Sequence, residues 1–243
     1  MPLIPAVRSL TIAALAMLAV SGCSQGAGTA DSASPIASVA APAGKKWSEV
    51  VVATPDGMRM GNPDAPLKVV EFGSFTCSHC AEFSKESAEP LKTQFIDSGR
   101  VSYELRPFIR DPLDLTAAAV AICSGPERFF ALAENIFASQ EELFAGAQAN
   151  PNAAQNIGAL PAADRFPALA RAWGLDRFFA ARGIPAADLN RCLADTAGLD
   201  KRTEVTERSG KQYEISGTPT FLLNGEVIEG VGTWPALRDR LRA

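Results

Sequence analysis

A strand, a Cys-x-x-Cys motif and a helix follow one another directly at residues 67–87, and this layout constrains the fold more than any other feature. An apolar run leads into Cys77-Ser-His-Cys80, and helix-forming residues follow. The first N–H groups of a helix lack intrahelical partners, and the peptide dipoles add positive charge there. A thiolate at Cys77 is therefore stabilised, which favours disulfide exchange. Cys80 lies one turn further on and can close a disulfide with Cys77.

Two other interpretations of a Cys-x-x-Cys motif are half of a zinc site and a chance pair. A structural zinc site needs about four ligands, usually with a second Cys or His pair. His79 is the only histidine of the chain, and the other cysteines are isolated from one another: Cys23, Cys123 and Cys192. The strand and helix around the motif favour a redox dithiol and no metal.

The N-terminus carries an apolar run at residues 10–20, about half the length that a bilayer-spanning helix needs. The run is typical of an export signal, and residues 1–22 are therefore excluded from the fold. Val-Ser-Gly-Cys at its end resembles the lipobox of bacterial lipoproteins, in which Cys23 becomes the lipidated first residue. The alternative is an ordinary signal cleaved after Ala27 or Ala30.

Residues 23–46 contain mostly Ala, Ser, Gly and Pro, which cannot bury enough apolar surface to offset the entropy of ordering. They predict a flexible tether with a reach of about 25 Å. Export predicts a periplasmic location, and Ser24 after the lipidated cysteine weakly favours the outer membrane. The formal net charge of -4 has no basic stripe, so nucleic-acid binding has no support.

The remaining cysteines predict a second disulfide. Disulfides persist in the periplasm, and assigning Cys23 to the lipid leaves an even number of cysteines. Cys123 and Cys192 then pair, and closing a loop of this length stabilises a domain by about 4 kcal/mol in the chain-entropy model. The alternative is two buried free thiols that act as small apolar side chains.

The sequence pattern in the first part of the domain predicts a β-α-β unit. Residues 47–53 form a short strand candidate, residues 67–75 a buried strand, and residues 101–109 an alternating strand. Pro90 should kink or divide the helix after the motif, because proline removes a helix hydrogen bond. A helix between two such strands favours parallel pairing.

A helical block follows at residues 112–213, where strand signals vanish and apolar residues recur at helical spacing. Gly and Pro punctuation predicts four to six short helices, with a loop at 146–161. Residues 217–230 then predict a hairpin with an Asn-Gly turn, and residues 234–241 a final helix. The fold class is therefore α/β, a thioredoxin-like sheet with a helical insertion between the β-α-β unit and the C-terminal hairpin.

Residues 47–243 resemble the DsbA-like thiol:disulfide oxidoreductases of the thioredoxin superfamily. The likeness depends on the segment from Glu71 to Cys80, on the helical insertion, and on Gly-Thr-Pro-Thr at 217–220. In that family the matching proline is cis and lies against the active-site disulfide. The resemblance therefore implies a cis bond before Pro219 and backbone contacts from Thr218 to bound peptide.

The resemblance also implies roles for two further residues. Related proteins carry a buried acid at the place of Glu71, which could relay the proton of Cys80. His79 could stabilise the Cys77 thiolate, and relatives with histidine there tend to be oxidants. This chain has Ser78 in place of the common proline, which leaves the oxidising strength open. The alternative is that Glu71 is an acidic residue of the strand whose side chain is exposed to solvent.

These features predict a periplasmic, lipid-anchored monomer that donates its Cys77–Cys80 disulfide to exported client proteins and needs no cofactor. The resemblance implies reoxidation by a membrane partner similar to DsbB. One alternative is a disulfide isomerase or reductase on the same fold; isomerases of this superfamily often dimerise through an added N-terminal domain, which residues 24–46 cannot build. Another is a lipid-anchored binding or chaperone module with a structural disulfide.

Overall fold

The computed structural model describes residues 37–242 of the chain. The predicted signal segment 1–22, the predicted lipidation site Cys23 and the first part of the predicted tether lie outside the described residues. Within residues 37–242, no helix combines the length and the apolar composition needed to cross a bilayer.

The last residues of the predicted tether contact the domain. The Val39 N–H donates a hydrogen bond to the Ser98 carbonyl at 2.8 Å. The indole Nε1 of the buried Trp47 donates to the Val39 carbonyl, also at 2.8 Å. The chain is therefore held against the domain before Trp47.

Six strands form one mixed sheet in the described part of the chain, in the order β1-β2-β4-β3-β5-β6. They are β1 Val51–Ala53, β2 Met58–Gly61, β3 Leu67–Gly73, β4 Val101–Pro107, β5 Thr220–Leu223 and β6 Glu226–Val227. β3 and β4 are parallel, and the other neighbouring strands are antiparallel. The predicted parallel β-α-β unit is confirmed, with β3 and β4 at the centre of the sheet.

Ten α-helices cover the sheet and build the insertion within residues 37–242. They are α1 Ser78–Pro90, α2 Pro112–Cys123, α3 Pro126–Ala138, α4 Gln140–Ala149, α5 Ala153–Asn156, α6 Ala162–Ala172, α7 Leu175–Ala180, α8 Ala186–Ala194, α9 Thr196–Gln212 and α10 Trp234–Arg242. α1 ends at Pro90 and continues as a π-helical segment, Leu91–Ile96. The proline therefore divides this helix, as its missing N–H predicts.

The sequence prediction missed strand β2. Residues 47–53 hold a 3-10 helix, Trp47–Glu49, before the short strand β1. The Thr54 N–H donates to the Gly57 carbonyl at 3.0 Å, so the turn-forming residues between them are the turn of a hairpin. β2 then pairs with β1 and β4. Its four residues were too short to show a strand pattern next to that turn.

The insertion is more divided than predicted, with the eight helices α2 to α9 in place of four to six. The segment 146–161 is not one loop, because α4 extends to Ala149, α5 follows, and Ile157–Ala159 forms a 3-10 turn. Gly174 and Gly183 have positive φ angles of 66° and 74°, which glycine tolerates, and each lies at a helix boundary. The insertion is nevertheless helical, as predicted.

The C-terminal hairpin and final helix are confirmed. Asn224 and Gly225 connect β5 to β6 with φ angles of 53° and 93°, the positive values that a tight hairpin turn requires. β5 pairs with β3, so the hairpin extends the sheet beside the central strand. α10 packs on the same face as α1, where Trp234 lies 6.5 Å from Phe83 between ring centres.

The two faces of β3 bury different side chains. Val69 belongs to the main core, which includes α1 and the insertion. Val70 and Phe72 face the other way and pack with Tyr213 after α9 and with Leu222 of β5. Glu71 is on the same face as Val69, because side chains alternate along a strand. An acid is therefore buried beneath the start of α1.

Candidate active site

The two cysteines of the motif lie at the beginning of α1. Cys77 is the N-cap residue, with an extended backbone (φ -99°, ψ 121°), and Cys80 is in the first turn. Both are free thiols in this structure. Cys77 is 4% exposed and Cys80 is fully buried. Of the two cysteines, Cys77 is therefore the more accessible to solvent.

The surroundings of Cys77 favour its thiolate. The largest cause is a hydrogen bond from the Cys80 thiol, which outweighs the opposing effect of burial and lowers the pKa of Cys77 to about 4. The Thr218 side chain and the backbone N–H groups of His79 and Cys80 stabilise the thiolate further. These N–H groups are the free donors of a helix N-terminus. At neutral pH the reduced protein therefore carries Cys77 as an anion.

Cys80 has the opposite character. Its hydrogen bond to Cys77 holds its proton, and burial and the nearby Glu71 carboxylate also raise the pKa of Cys80 far above the ordinary value. The two thiols of one motif are thus separated into a stable anion and a protonated resolving group. Such a separation is typical of functional rather than structural sites.

The loop before β5 completes the site. The Thr218–Pro219 peptide bond is cis. The Cys77 sulfur lies 3.2 Å from the Thr218 carbonyl oxygen, which accepts a hydrogen bond from the thiol when Cys77 is protonated. The structure therefore brings together the motif and the Gly-Thr-Pro-Thr segment, which lie about 140 residues apart in the sequence.

Glu71 lies beneath the motif, 1% exposed. Burial is the largest cause that raises the pKa of Glu71 to about 8, while the hydrogen bond from the Tyr103 hydroxyl to its Oε2 lowers it. Its other oxygen, Oε1, has no hydrogen-bond partner among the described residues. The carboxyl group is therefore protonated at neutral pH and has one oxygen available for proton exchange.

Gly73 leaves the space that this carboxyl group occupies. A Cβ atom at this position would lie 2.7 Å from Glu71 Oε1 and 3.0 Å from Leu105 Cδ1. Such contacts are closer than a side chain tolerates, so residue 73 must be glycine for the acid to keep this position. The sequence Glu-Phe-Gly before the motif thus has a steric explanation.

A second buried acid, Asp114 in α2, holds the loop that precedes the motif. Its Oδ1 accepts the Phe75 N–H at 2.8 Å, and its Oδ2 accepts the Ser74 hydroxyl at 2.6 Å and the Arg110 N–H at 3.0 Å. Burial is the largest cause that raises the pKa of Asp114 to about 7, and these hydrogen bonds lower it. Asp114 therefore joins the loop before Cys77 to the start of the helical insertion.

Two more side chains fix the same loop. Asp111 accepts the Thr76 hydroxyl at 2.7 Å and caps α2 by accepting the Asp114 N–H at 2.9 Å. The Gln140 amide donates to the Phe75 carbonyl at 2.8 Å and to the Cys77 carbonyl at 2.9 Å. The backbone of Phe75 and Cys77 and the hydroxyls of Ser74 and Thr76 are thus held by side chains at the start of α2 and of α4.

Sequence reasoning missed these supporting residues. The Asp-Pro pair at 111–112 is a helix-start signal, but its bond to Thr76 depends on tertiary contact. Tyr103 reaches Glu71 because β3 and β4 are parallel with Glu71 opposite Leu105. That register places Tyr103 diagonally across from Glu71 on the same face. For Gln140 no local signal exists.

His79, the predicted tuning residue, has an exposed side chain at the groove beside the motif. Its backbone N–H, rather than its imidazole, is the group that lowers the pKa of Cys77. A tuning role for the imidazole stays a prediction. Within residues 37–242, no group of three or more His, Cys, Asp or Glu side chains could hold a metal ion.

Cys123 and Cys192 form a disulfide bond between the end of α2 and α8. The bond encloses most of the insertion, with a sequence separation of 69 residues. Arg191 Nη1 lies 3.3 Å from the Cys123 sulfur. This pair is separate from Cys77 and Cys80, and its position between two helices suits a cross-link within the insertion.

Comparisons with known proteins agree with this geometry. The thioredoxin family model matches residues 53–242. A protein of Rickettsia prowazekii, provisionally named protein-disulfide oxidoreductase, is 30% identical over 175 residues, which cover 71% of this chain and 56% of the relative. The chain thus spans little more than half the length of such curated relatives.

Solved structures show the same fold. A crystal structure titled protein-disulfide isomerase, from Novosphingobium aromaticivorans, has 37% identity and a TM-score of 0.70, covering 77% of this chain and 99% of that one. Wolbachia pipientis α-DsbA1 has 21% identity and a TM-score of 0.62, covering 80% and 94%. The chain belongs to the thioredoxin family.

Proposed function

We propose that the protein is an exported thiol:disulfide oxidoreductase that donates the Cys77–Cys80 disulfide to client proteins. The observation that carries this proposal is the contrast between the two thiols: Cys77 favours the anion and Cys80 the protonated form. A dithiol whose outer thiolate is stabilised gives up its disulfide readily, because the reduced form is the stable one.

The reaction proceeds by two exchanges. A client thiolate attacks the Cys77 sulfur of the oxidised enzyme, a mixed disulfide forms, and Cys80 leaves with the electron pair and takes up a proton. The second client thiolate then attacks the client sulfur of the mixed disulfide, and the Cys77 thiolate leaves. The client has gained a disulfide, and the enzyme holds both electrons as a dithiol.

Glu71 supplies the proton in the first exchange. Its pKa of about 8 keeps it protonated at neutral pH, and its charge affects the buried Cys80 sulfur that must leave. During reoxidation the same carboxylate can take the proton back. A group with a pKa near the working pH serves well in both directions. Thr218 lies beside the Cys77 sulfur, and in this proposal it contacts the backbone of the bound client.

A single-turnover experiment tests this function. The oxidised protein, with Cys23→Ser to remove the extra thiol, is mixed with a reduced dithiol peptide, and acid-quenched samples are alkylated and separated. We expect rapid transfer of one disulfide, loss of activity in Cys77→Ser, and accumulation of mixed disulfide with Cys80→Ser enzyme and an activated disulfide peptide. A disulfide that peptides do not reduce would instead support the binding module.

A second candidate function is disulfide isomerisation. A structure titled protein-disulfide isomerase is among the similar proteins, with 37% identity. An isomerase attacks wrong client disulfides with the Cys77 thiolate and needs the reduced enzyme. Refolding of a scrambled disulfide protein separates the two activities, because reduced enzyme without an oxidant would restore that substrate only if isomerisation occurs. We favour oxidation of client thiols as the function, and a monomeric protein.

The proposed cellular setting is the periplasm, with an anchor lipid on Cys23 and reoxidation by a membrane protein similar to DsbB. It is supported by the apolar run and lipobox-like residues of the N-terminus. Metabolic labelling with a fatty-acid analogue tests the anchor: we expect labelling of the expressed chain and none of Cys23→Ser. The alternative, cleavage after Ala27 or Ala30, predicts an unlabelled soluble product in both.

A further inference from the structure

A groove of about 760 Å³ opens beside the Cys77 sulfur. We call it the client groove. Its lining residues are Thr76, Cys77, Ser78, His79, Phe108, Ile109, Arg110, Phe144, Ile215, Ser216, Gly217 and Thr218. Apolar side chains from three parts of the fold thus line the groove, together with Cys77 and the basic side chains His79 and Arg110.

One wall of the client groove is fixed by consecutive hydrogen bonds. The Phe108 N–H donates to the Gly73 carbonyl at 2.8 Å, and the Ile109 N–H donates to the Thr206 hydroxyl at 2.9 Å. The Arg110 N–H donates to Asp114 at 3.0 Å. The backbone that carries these side chains is therefore held in place before a client binds, which lowers the entropic cost of binding.

Arg110 is the permanently charged member of the lining. It is exposed, and no described Asp or Glu oxygen lies within 4.0 Å of its guanidinium nitrogens. The adjacent Asp111 is occupied by the Thr76 hydroxyl and the Asp114 N–H. None of the lining residues is acidic. The groove is thus locally basic in a chain with a formal net charge of -4.

We propose that Arg110 makes the client groove selective for cysteines that have an acidic side chain within about three residues. The inference depends on the proposed oxidoreductase function and specifies its substrates. Arg110 and Cys77 line the same groove, and an extended client advances about 3.3 Å per residue. A carboxylate up to three residues from the reacting cysteine would therefore enter the groove that Arg110 lines while the cysteine meets Cys77. The apolar lining accepts neighbouring client side chains, and the arginine discriminates by charge.

The test measures the rate at which single-cysteine peptides attack the oxidised protein carrying Cys23→Ser. The peptides share one apolar sequence and differ only in Glu, Gln or Lys two residues from the cysteine. A charged neighbour changes the reactivity of the peptide thiol itself. Each rate is therefore compared between wild-type enzyme and Arg110→Gln, and the double-mutant cycle cancels that intrinsic difference.

In this cycle we expect Arg110 to increase the rate of the Glu peptide about two- to fivefold relative to the rate of the Gln peptide, the usual size for an exposed ion pair. Arg110→Glu should reverse the order so that the Lys peptide gains, and 0.5 M salt should reduce both effects. Arg171→Glu is the matched control, because Arg171 is an exposed arginine of α6 outside the groove. It should leave all three rate ratios unchanged.

If the rate ratios between the Glu, Gln and Lys peptides are the same in wild-type enzyme and in both Arg110 variants, the proposed charge selectivity is wrong. Fast reaction of the Gln peptide would then still support the proposed function, with a groove that reads only apolar side chains. If no peptide reduces the wild-type disulfide, the proposed function fails, and the selectivity fails with it. An equal loss of rate for all three peptides in Arg110→Gln would also contradict selectivity.

Discussion

Two buried acids flank the motif, and they differ in how their oxygens are used. Glu71 on β3 accepts one hydrogen bond, from Tyr103, and its Oε1 has no partner among the described residues. Asp114 in α2 accepts three, from Ser74, Phe75 and Arg110. Burial raises the pKa of both, to about 8 and about 7.

This difference in hydrogen bonding suits Glu71 to proton transfer and Asp114 to structural support of the loop. A buried carboxyl group with a free oxygen can give and take a proton without breaking hydrogen bonds to its surroundings, which is the role we propose for Glu71 beneath Cys80. A carboxyl group whose oxygens hold two backbone N–H groups and a hydroxyl fixes the loop and loses that function if its acceptors are removed. The same change, acid to amide, should therefore act in opposite directions at the two sites.

The largest effect is expected on the rate of exchange in Glu71→Gln. The amide cannot protonate the leaving Cys80 sulfur, so formation of the mixed disulfide should slow by about 100-fold at pH 7. Quenched-flow measurement with a reduced peptide gives this rate. Glu104→Gln is the matched control, since Glu104 is a buried acid of β4 that binds Thr54 and Arg106 instead. A Glu71→Gln rate equal to that of the control would contradict proton transfer.

The second effect is on stability, where Glu71→Gln should raise the free energy of unfolding by about 3 to 4 kcal/mol at pH 7. Below about pH 4 the carboxyl is protonated in both states. Between about pH 4 and 8 the unfolded chain loses the proton while the folded protein keeps it, so the wild type loses about 1.4 kcal/mol per pH unit. Urea unfolding at pH 4.5 and 7 measures this, and a gain independent of pH would contradict the raised pKa.

The third effect has the opposite sign: Asp114→Asn should lower the free energy of unfolding by about 1 to 3 kcal/mol at pH 4.5. The protonated acid still accepts through both oxygens, whereas the asparagine NH2 must face the N–H of Phe75 or Arg110. Asp114→Asn also removes the free-energy cost of burying the carboxyl group, and this gain grows as the pH rises towards 7. Urea unfolding is therefore measured at pH 4.5, where the gain is small. If Asp114→Asn and Glu71→Gln both stabilise the protein, the distinction between the two acids is wrong.

The smallest effect is expected in Tyr103→Phe. The hydroxyl lowers the pKa of Glu71, so its removal should raise that pKa above about 8 and cost about 1 kcal/mol of stability. Infrared titration of the buried carboxyl band measures the pKa of Glu71 in Tyr103→Phe. The double variant Tyr103→Phe/Glu71→Gln lacks this carboxyl group, so its spectrum identifies the part of the band that belongs to Glu71. Tyr213→Phe is the control, because Tyr213 packs with Phe72 on the other face of the sheet. An unchanged titration in Tyr103→Phe would exclude the hydrogen bond as a determinant of the Glu71 pKa.

The parts of the fold that follow from local chemistry could be predicted from the sequence. Asn224 and Gly225 specify a tight turn, Pro90 interrupts a helix, and the motif joins a buried strand to a helix start. The supporting side chains could not be predicted, because Asp114 and Gln140 act on residues about 40 and 65 positions away. The register of β3 against β4 determines the partner of Glu71, and residue patterns alone do not give it.

The measurement that tests the central claim most directly is the reduction potential of the Cys77–Cys80 pair. The purified protein, with Cys23→Ser, is equilibrated with glutathione buffers and its thiols are trapped by alkylation. A pKa of about 4 for Cys77 lies close to the value of about 3.5 known for strongly oxidising enzymes of this type, so we predict a potential above about -160 mV. A potential near -250 mV or lower would contradict the stabilised thiolate and the donation of disulfides to clients.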